Sequence, residues 1–194
     1  FWQWGDYGIF RNYIVAYKKQ KIGLVYLTNS FNGLSIGQDI ITHAIGGGKE
    51  LGLSYLNYDR YDSPAMEIVR AAKDKKADEV VNLFHELRKK HPEGFSESDV
   101  NRLGYMLLNA KRVPAAIEIL RLNVEAFPES ANVYDSLAEA YMTNGDNELA
   151  IQYYKKALEV IPKDTKADKE FLERLKQGAL DKLKKLEEKK KDCA

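Results

Sequence analysis

ANVYDSLAEAYMTNGDNELAIQYYKKALEVIPKD, residues 131–164, reads as two amphipathic helices joined by a turn at Asn144-Gly145-Asp146. Each apolar residue in it has a packing reason. Ala138 and Ala150 are small, so the two helices approach closely. Tyr141, Tyr154 and Leu158 fill the space toward neighbouring helices, and Tyr134, Leu137 and Ala157 complete the apolar stripes. Gly145 supports the turn, and Pro162 ends the second helix.

The same grammar occurs one step earlier in the chain. Aligned against itself, the sequence repeats with a period of 34: Leu103 falls on Leu137, Ala116 on Ala150, Ile117 on Ile151 and Pro128 on Pro162. Gly104 falls opposite Ala138, and Leu120 opposite Tyr154. A fixed period of 34 with helix-turn-helix content is the signature of the tetratricopeptide repeat, which the chain resembles from residue 64 onward. Residues 131–164 carry the family pattern well. Residues 97–130 depart from it at Leu107, where Tyr is usual, and at Asn123, where Ala is usual. Residues 64–92 read as a degenerate copy, with Val80, Val81, Phe84 and Leu87 facing inward. Residues 165–194 read as a capping helix and tail, with Leu172, Leu175, Ala179, Leu183 and Leu186 on one stripe and charge elsewhere.

In arrays of this family the first helices of successive repeats line a concave face. That resemblance implies Ser98, Asn101, Tyr105, Leu108 and Asn109 as groove residues from the first clear copy. Asn132, Asp135, Glu139 and Met142 follow from the second. This set mixes amide, aromatic and acidic groups. It lacks the Lys and Arg residues of the family's chaperone-tail clamp, so the expected partner is a different peptide or protein segment.

Residues 1–28 follow another grammar. Phe10 to about Lys18 and Lys21 to Thr28 are rich in β-branched and aromatic side chains, and the polar Lys18-Lys19-Gln20-Lys21 joins them at hairpin length. The second run is apolar on both alternating faces, which predicts a strand covered on both sides. A helix is expected over about 35–45, stopped by Gly46-Gly47-Gly48, and residues 49–63 read as a connector. The fold class is therefore α+β, with a small antiparallel sheet and helix at the N-terminus and an all-α array after it.

The first 47 residues resemble the C-terminal end of the serine β-lactamase and penicillin-binding-protein family, in its class C and esterase-like branch. Gln3-Trp4-Gly5 stands in the place of that family's K-T-G or H-x-G motif, Gly8-Ile9-Phe10 in the place of its turn, and Thr28-Asn29 closes the hairpin before the helix. The resemblance implies a substrate-pocket edge at Gln3, Trp4, Gly5 and Asp6, with the Asp6 N–H as oxyanion donor. Gln3 departs from the family's Lys or His, and a neutral amide does not pair with a substrate carboxylate as Lys does. The family's chemistry also needs an S-x-x-K nucleophile and base. Every Ser here (30, 35, 54, 63, 96, 98, 130, 136) lacks a Lys three residues on. The chain reads as the C-terminal part of a hydrolase joined to the helical array, not catalytic alone. The alternative is a hydrolase subunit completed by an upstream S-x-x-K domain. The family is commonly exported, which implies an extracytoplasmic site.

Charge and composition narrow the partners further. Thirty Lys and Arg against 29 Asp and Glu give a net charge of +1, so the balance does not suggest nucleic acid as a partner. No apolar run approaches the ~20 residues of a membrane-spanning helix. Cys193 is the sole cysteine, and His43, His85 and His91 sit on three separate segments, so no metal site or cofactor is expected. The partners implied are a protein or peptide on the concave face, the upstream hydrolase domain, or a second copy through the β segment.

Overall fold

The computed structural model describes residues 1–7, 10–30, 33–46, 53 and 62–192, with side chains through residue 188. The chain forms two compact units, Phe1–Glu67 and Ile68–Ala194.

The first unit is a three-stranded antiparallel sheet in the order β1 (Trp2–Tyr7), β2 (Phe10–Tyr17), β3 (Ile22–Thr28). The register pairs Trp4 with Tyr13 and Tyr7 with Phe10 across the first hairpin, and Tyr13 with Tyr26 and Tyr17 with Ile22 across the second. Phe10 is therefore already a paired strand residue and not part of a turn, while Gly8 and Ile9 lie outside the described residues. Lys21 takes a left-handed φ of 53° in the second hairpin. A 3-10 turn (Gly33–Ile36) leads into α1 (Gly37–Ile45). α1 stops at Gly46, which has φ 68° and donates to the Thr42 carbonyl at 3.1 Å. Gly47, Gly48 and most of the expected connector lie outside the described residues. His43 Nδ1 donates to the Asp39 carbonyl at 2.7 Å, as its place at the helix end suggests.

Period-2 alternation decides which face of this sheet is covered. Tyr13, Val15, Leu34 and Ile41 form the core, with Tyr17, Leu24, Tyr26, Ile45 and Leu53 packed on it. The opposite face carries Tyr7, Phe10, Val25 and Leu27, which are exposed. The expectation of cover on both faces of β3 is thus not met among the described residues: Val25 is 61% and Leu27 78% exposed.

α2 (Pro64–Ala71) spans the boundary between the units. The second unit continues with α3 (Ala77–Lys90), α4 (Glu97–Asn109), α5 (Val113–Ala126), α6 (Ala131–Asn144), α7 (Asn147–Val160) and α8 (Lys169–Asp192). From α4 on, each helix packs on the next in sequence, α3 packs on α5, and α6 also packs on α4 and α8. A three-stranded sheet and helix followed by a helical array is the fold class the sequence implies.

The repeat works through small residues where helices touch. Gly104 faces Leu120, whose Cγ would lie 2.5 Å from any added Cβ, whereas Ala138 is tolerated opposite Tyr154 one repeat later. The helix starts are capped in different ways. Ser96 and Asp99 form a reciprocal capping box at α4. α6 borrows its cap: the Ala131 N–H donates to Asp164 Oδ2 at 3.0 Å, from beyond the end of α7. The turns also repeat. Gly145 has φ 89°, and Lys111, 34 residues earlier, takes φ 59° without the benefit of glycine.

Candidate functional site

The groove residues implied by the sequence lie on α4 and α6, and they do not share one fate. Leu108 packs beside the cluster of Ile117, Leu120, Leu137 and Ala140. Met142 packs on the cluster that contains Ala138, Tyr154 and Leu183. Asn109 is exposed at the end of α4. Asn132 lines a separate cavity of about 490 Å³ with Phe127, Pro128, Ser130 and Phe171.

Of the remaining five, Ser98 is exposed in the first turn of α4, where its hydroxyl lies 3.1 Å from that of Ser96. Tyr105, Asp135 and Glu139 belong to a polar cluster, and Asn101 stands one turn before Tyr105 on the same helix. The Tyr105 hydroxyl donates to Glu139 Oε2 at 3.0 Å. The Lys182 ammonium donates to the same oxygen at 3.1 Å and lies 3.6 Å from Asp135 Oδ2. It also sits 5.2 Å from the centroid of the Tyr154 ring. Helix α6, packed on both α4 and α8, thus brings Glu139 together with Tyr105 and Lys182. Asn101 and Asp135 occupy equivalent positions one repeat apart.

This cluster has more acceptors than donors. Asn101 Oδ1, Asp135 Oδ1 and the Tyr154 hydroxyl are buried with no hydrogen-bond partner among the described residues. Burial pushes the Asp135 carboxyl above the usual carboxylate range. Glu139 adds to that, and Lys182 only partly opposes it. Burial likewise raises the Tyr154 hydroxyl, helped by Asp135, Glu139 and Tyr105. Tyr105 is also raised, by burial first, with the Ser136 hydroxyl opposing and Glu139 adding.

Three members of the cluster escaped the sequence reading. Tyr154 reads as a core filler, which it also is, at 0% exposed. Ser136 is buried on the same helix as Asp135. Lys182 lies on the flank of the α8 stripe, among residues that read as solvated. Its only sequence signal is that it stands three residues from buried Ala179 and next to Leu183.

The opening strand places its residues on both faces. Trp4 pairs with Tyr13, and Asp6 with Arg11, on the helix-covered face. The Asp6 carboxylate holds the buried Arg11 guanidinium at 2.5 Å. Gln3 and Gly5 stand on the other face, opposite Ile14 and Asn12. Among the described residues no group of three or more His, Cys, Asp and Glu is arranged to hold a metal ion. No helix among them is long and apolar enough to cross a membrane.

The pattern of small, aromatic and turn residues over 131–164 matches the tetratricopeptide repeat family model over those same residues. Residues 131–164 are a tetratricopeptide repeat. In this repeat α6 is the first helix and α7 the second, and Asp135 and Glu139 lie on the first. Two solved structures are similar to the chain. "MamA 41-end from Desulfovibrio magneticus RS-1" is 23% identical, with a TM-score of 0.36 over 66% of this chain and 75% of that one. "MamA RS-1 ArsTM double mutant" is 20% identical, with a TM-score of 0.35 over the same shares. No curated protein matches the chain. None of these comparisons carries a β-lactamase or penicillin-binding domain.

Proposed function

We propose that the chain is a protein-interaction scaffold whose helical array holds a peptide segment against its first helices. The observation that carries this is the line Tyr105–Glu139–Lys182, made by side chains from three neighbouring helices and flanked by buried oxygens without donors. A segment lying across those helices meets a polar group at each one. The tetratricopeptide repeat at 131–164 supports the same reading. The test is selection from a displayed random peptide library, followed by hydrogen exchange of the complex. Protection concentrated on α4 and α6 is expected. Selection that yields no binder, or protection elsewhere, overturns the reading.

A second reading concerns the N-terminal unit. We infer that it is the C-terminal end of a β-lactamase-like serine hydrolase domain, inert in this chain and completed by an S-x-x-K domain. The order of three meandering strands and then a helix packed on Tyr13 and Val15 supports this. So does the apolar sheet face of Tyr7, Phe10, Val25 and Leu27, a surface for the rest of such a domain or for a second copy. Nitrocefin and p-nitrophenyl ester assays test it. Turnover is expected only after an S-x-x-K domain is supplied. Turnover by this chain alone, traced to a labelled Ser, overturns it.

A further inference from the structure

The polar cluster on the first helices has a charge and donor deficit that specifies what it takes. Asp135 and Glu139 contribute two carboxylates, and Lys182 pairs with both. Among the described residues three buried oxygens from three different helices lack a donor: Asn101 Oδ1 on α4, Asp135 Oδ1 on α6 and the Tyr154 hydroxyl on α7. Tyr154 is 0% exposed, and its ring lies under the Lys182 ammonium. The same Lys182 ammonium reaches Asp135 and Glu139, which brings the Tyr154 side chain to the cluster. Buried acceptors without donors are costly, and a fold retains few of them without a use.

We propose that this cluster binds the guanidinium of an arginine side chain carried by the peptide, with Asn101, Asp135 and Tyr154 receiving its N–H donors. The proposal rests on the peptide-scaffold reading and names its partner's chemistry. Guanidinium offers five donors in a rigid planar fork, which serves separate acceptors on three helices better than a compact ammonium does. Its charge cancels the remaining negative charge of the Asp135–Glu139–Lys182 set. Asp135 and Glu139, with side chains 15% and 34% exposed, form the mouth of the site, and Tyr154 forms its floor. Lys182 is the cation the protein already keeps there, and it competes with the incoming one.

The test is a titration of the full chain with Nα-acetyl-arginine amide, read by backbone amide NMR shifts. Nα-acetyl-citrulline amide is the neutral control of the same shape. Saturable shifts at Asn101, Asp135 and Tyr154 are expected with the arginine compound alone. Asp135→Asn and Tyr154→Phe each weaken the response roughly tenfold or abolish it, while Lys182→Met strengthens it several-fold. Well-dispersed spectra of the variants show that they fold, and Tyr154→Phe keeps the test decisive where Asp135→Asn does not. No saturable shift, or equal response to citrulline, overturns the proposal and assigns the orphan oxygens to internal water. Library peptides that protect α4 and α6 without an arginine preference leave the scaffold reading standing and sink this one. A library that yields no binder sinks the scaffold reading, while the arginine titration still decides this one.

Discussion

The Lys182 ammonium lies over the Tyr154 ring, 5.2 Å from its centroid, and ties the last helix to the tetratricopeptide repeat before it. The same ammonium pairs with both Asp135 and Glu139 on α6.

Removing that cation leaves a mostly buried Asp135 uncompensated. Lys182→Met therefore destabilises the array by about 1–3 kcal/mol in urea unfolding at neutral pH. Asp135→Asn relieves a carboxyl whose burial raises its pKa. A raised carboxyl favours folding below its unfolded pKa, and that advantage is lost as pH rises through the folded value. The variant thus gains on the wild type as pH rises through that window. In the double variant the two changes are non-additive by about 0.5–2 kcal/mol; strict additivity removes the coupling.

Asp164 gives the opposite sign. Burial raises its pKa, but N–H donation from Ala131, Ala167 and Lys166, with the Lys166 charge, outweighs burial and holds it low. Its stabilisation is present above the unfolded carboxyl pKa and is lost as pH falls through the folded value. Asp164→Asn places an amide NH₂ where an acceptor is needed and costs about 1–3 kcal/mol at pH 7. The gap to wild type narrows in acid. A gap that stays constant with pH contradicts the capping role.

The two turns at equivalent repeat positions differ in one atom group that matters. Lys111 has φ 59° and Gly145 has φ 89°. Lys111→Gly relieves the strained side chain and stabilises by roughly 0.5–1 kcal/mol, while Gly145→Ala destabilises by about 1 kcal/mol. Thermal melts of both variants, moving in opposite directions, are the check.

Overpacking tests the repeat register. Gly104→Ala drives a methyl into buried Leu120, and Ala150→Leu overfills the cluster of Ala138, Tyr154 and Leu183. Each costs about 1–3 kcal/mol. An unchanged melting temperature for either places that residue outside the helix contact.

In the first unit, Arg11 is 3% exposed and its partner Asp6 is 37% exposed. Asp6→Asn removes charge from beside a buried guanidinium and destabilises that unit by about 1–3 kcal/mol. Hydrogen exchange in β1 and β2 reads the loss locally, and unchanged protection argues that other acceptors carry Arg11.

The repeat itself was legible because it is written in residues that must match a like neighbour. Leu103 and Leu137, Ala116 and Ala150, and Gly104 and Ala138 recur at 34 because each repeat buries the same surface against the next. The same period pointed to Asn101, Asp135, Tyr105 and Glu139. It did not separate them from Leu108 and Met142, whose side chains turn into the packing between helices. It also missed Lys182, which meets Glu139 at a separation of 43 and not 34, outside the repeat period. A local pattern fixes which face of a helix is apolar. Only the packing of one helix on another decides which polar side chains on its flank converge. The sheet shows the same limit. Alternation and aromatic content announced the strands, but β3 is apolar on both faces, so only the placement of α1 decided that Leu24 and Tyr26 are covered while Val25 and Leu27 are exposed.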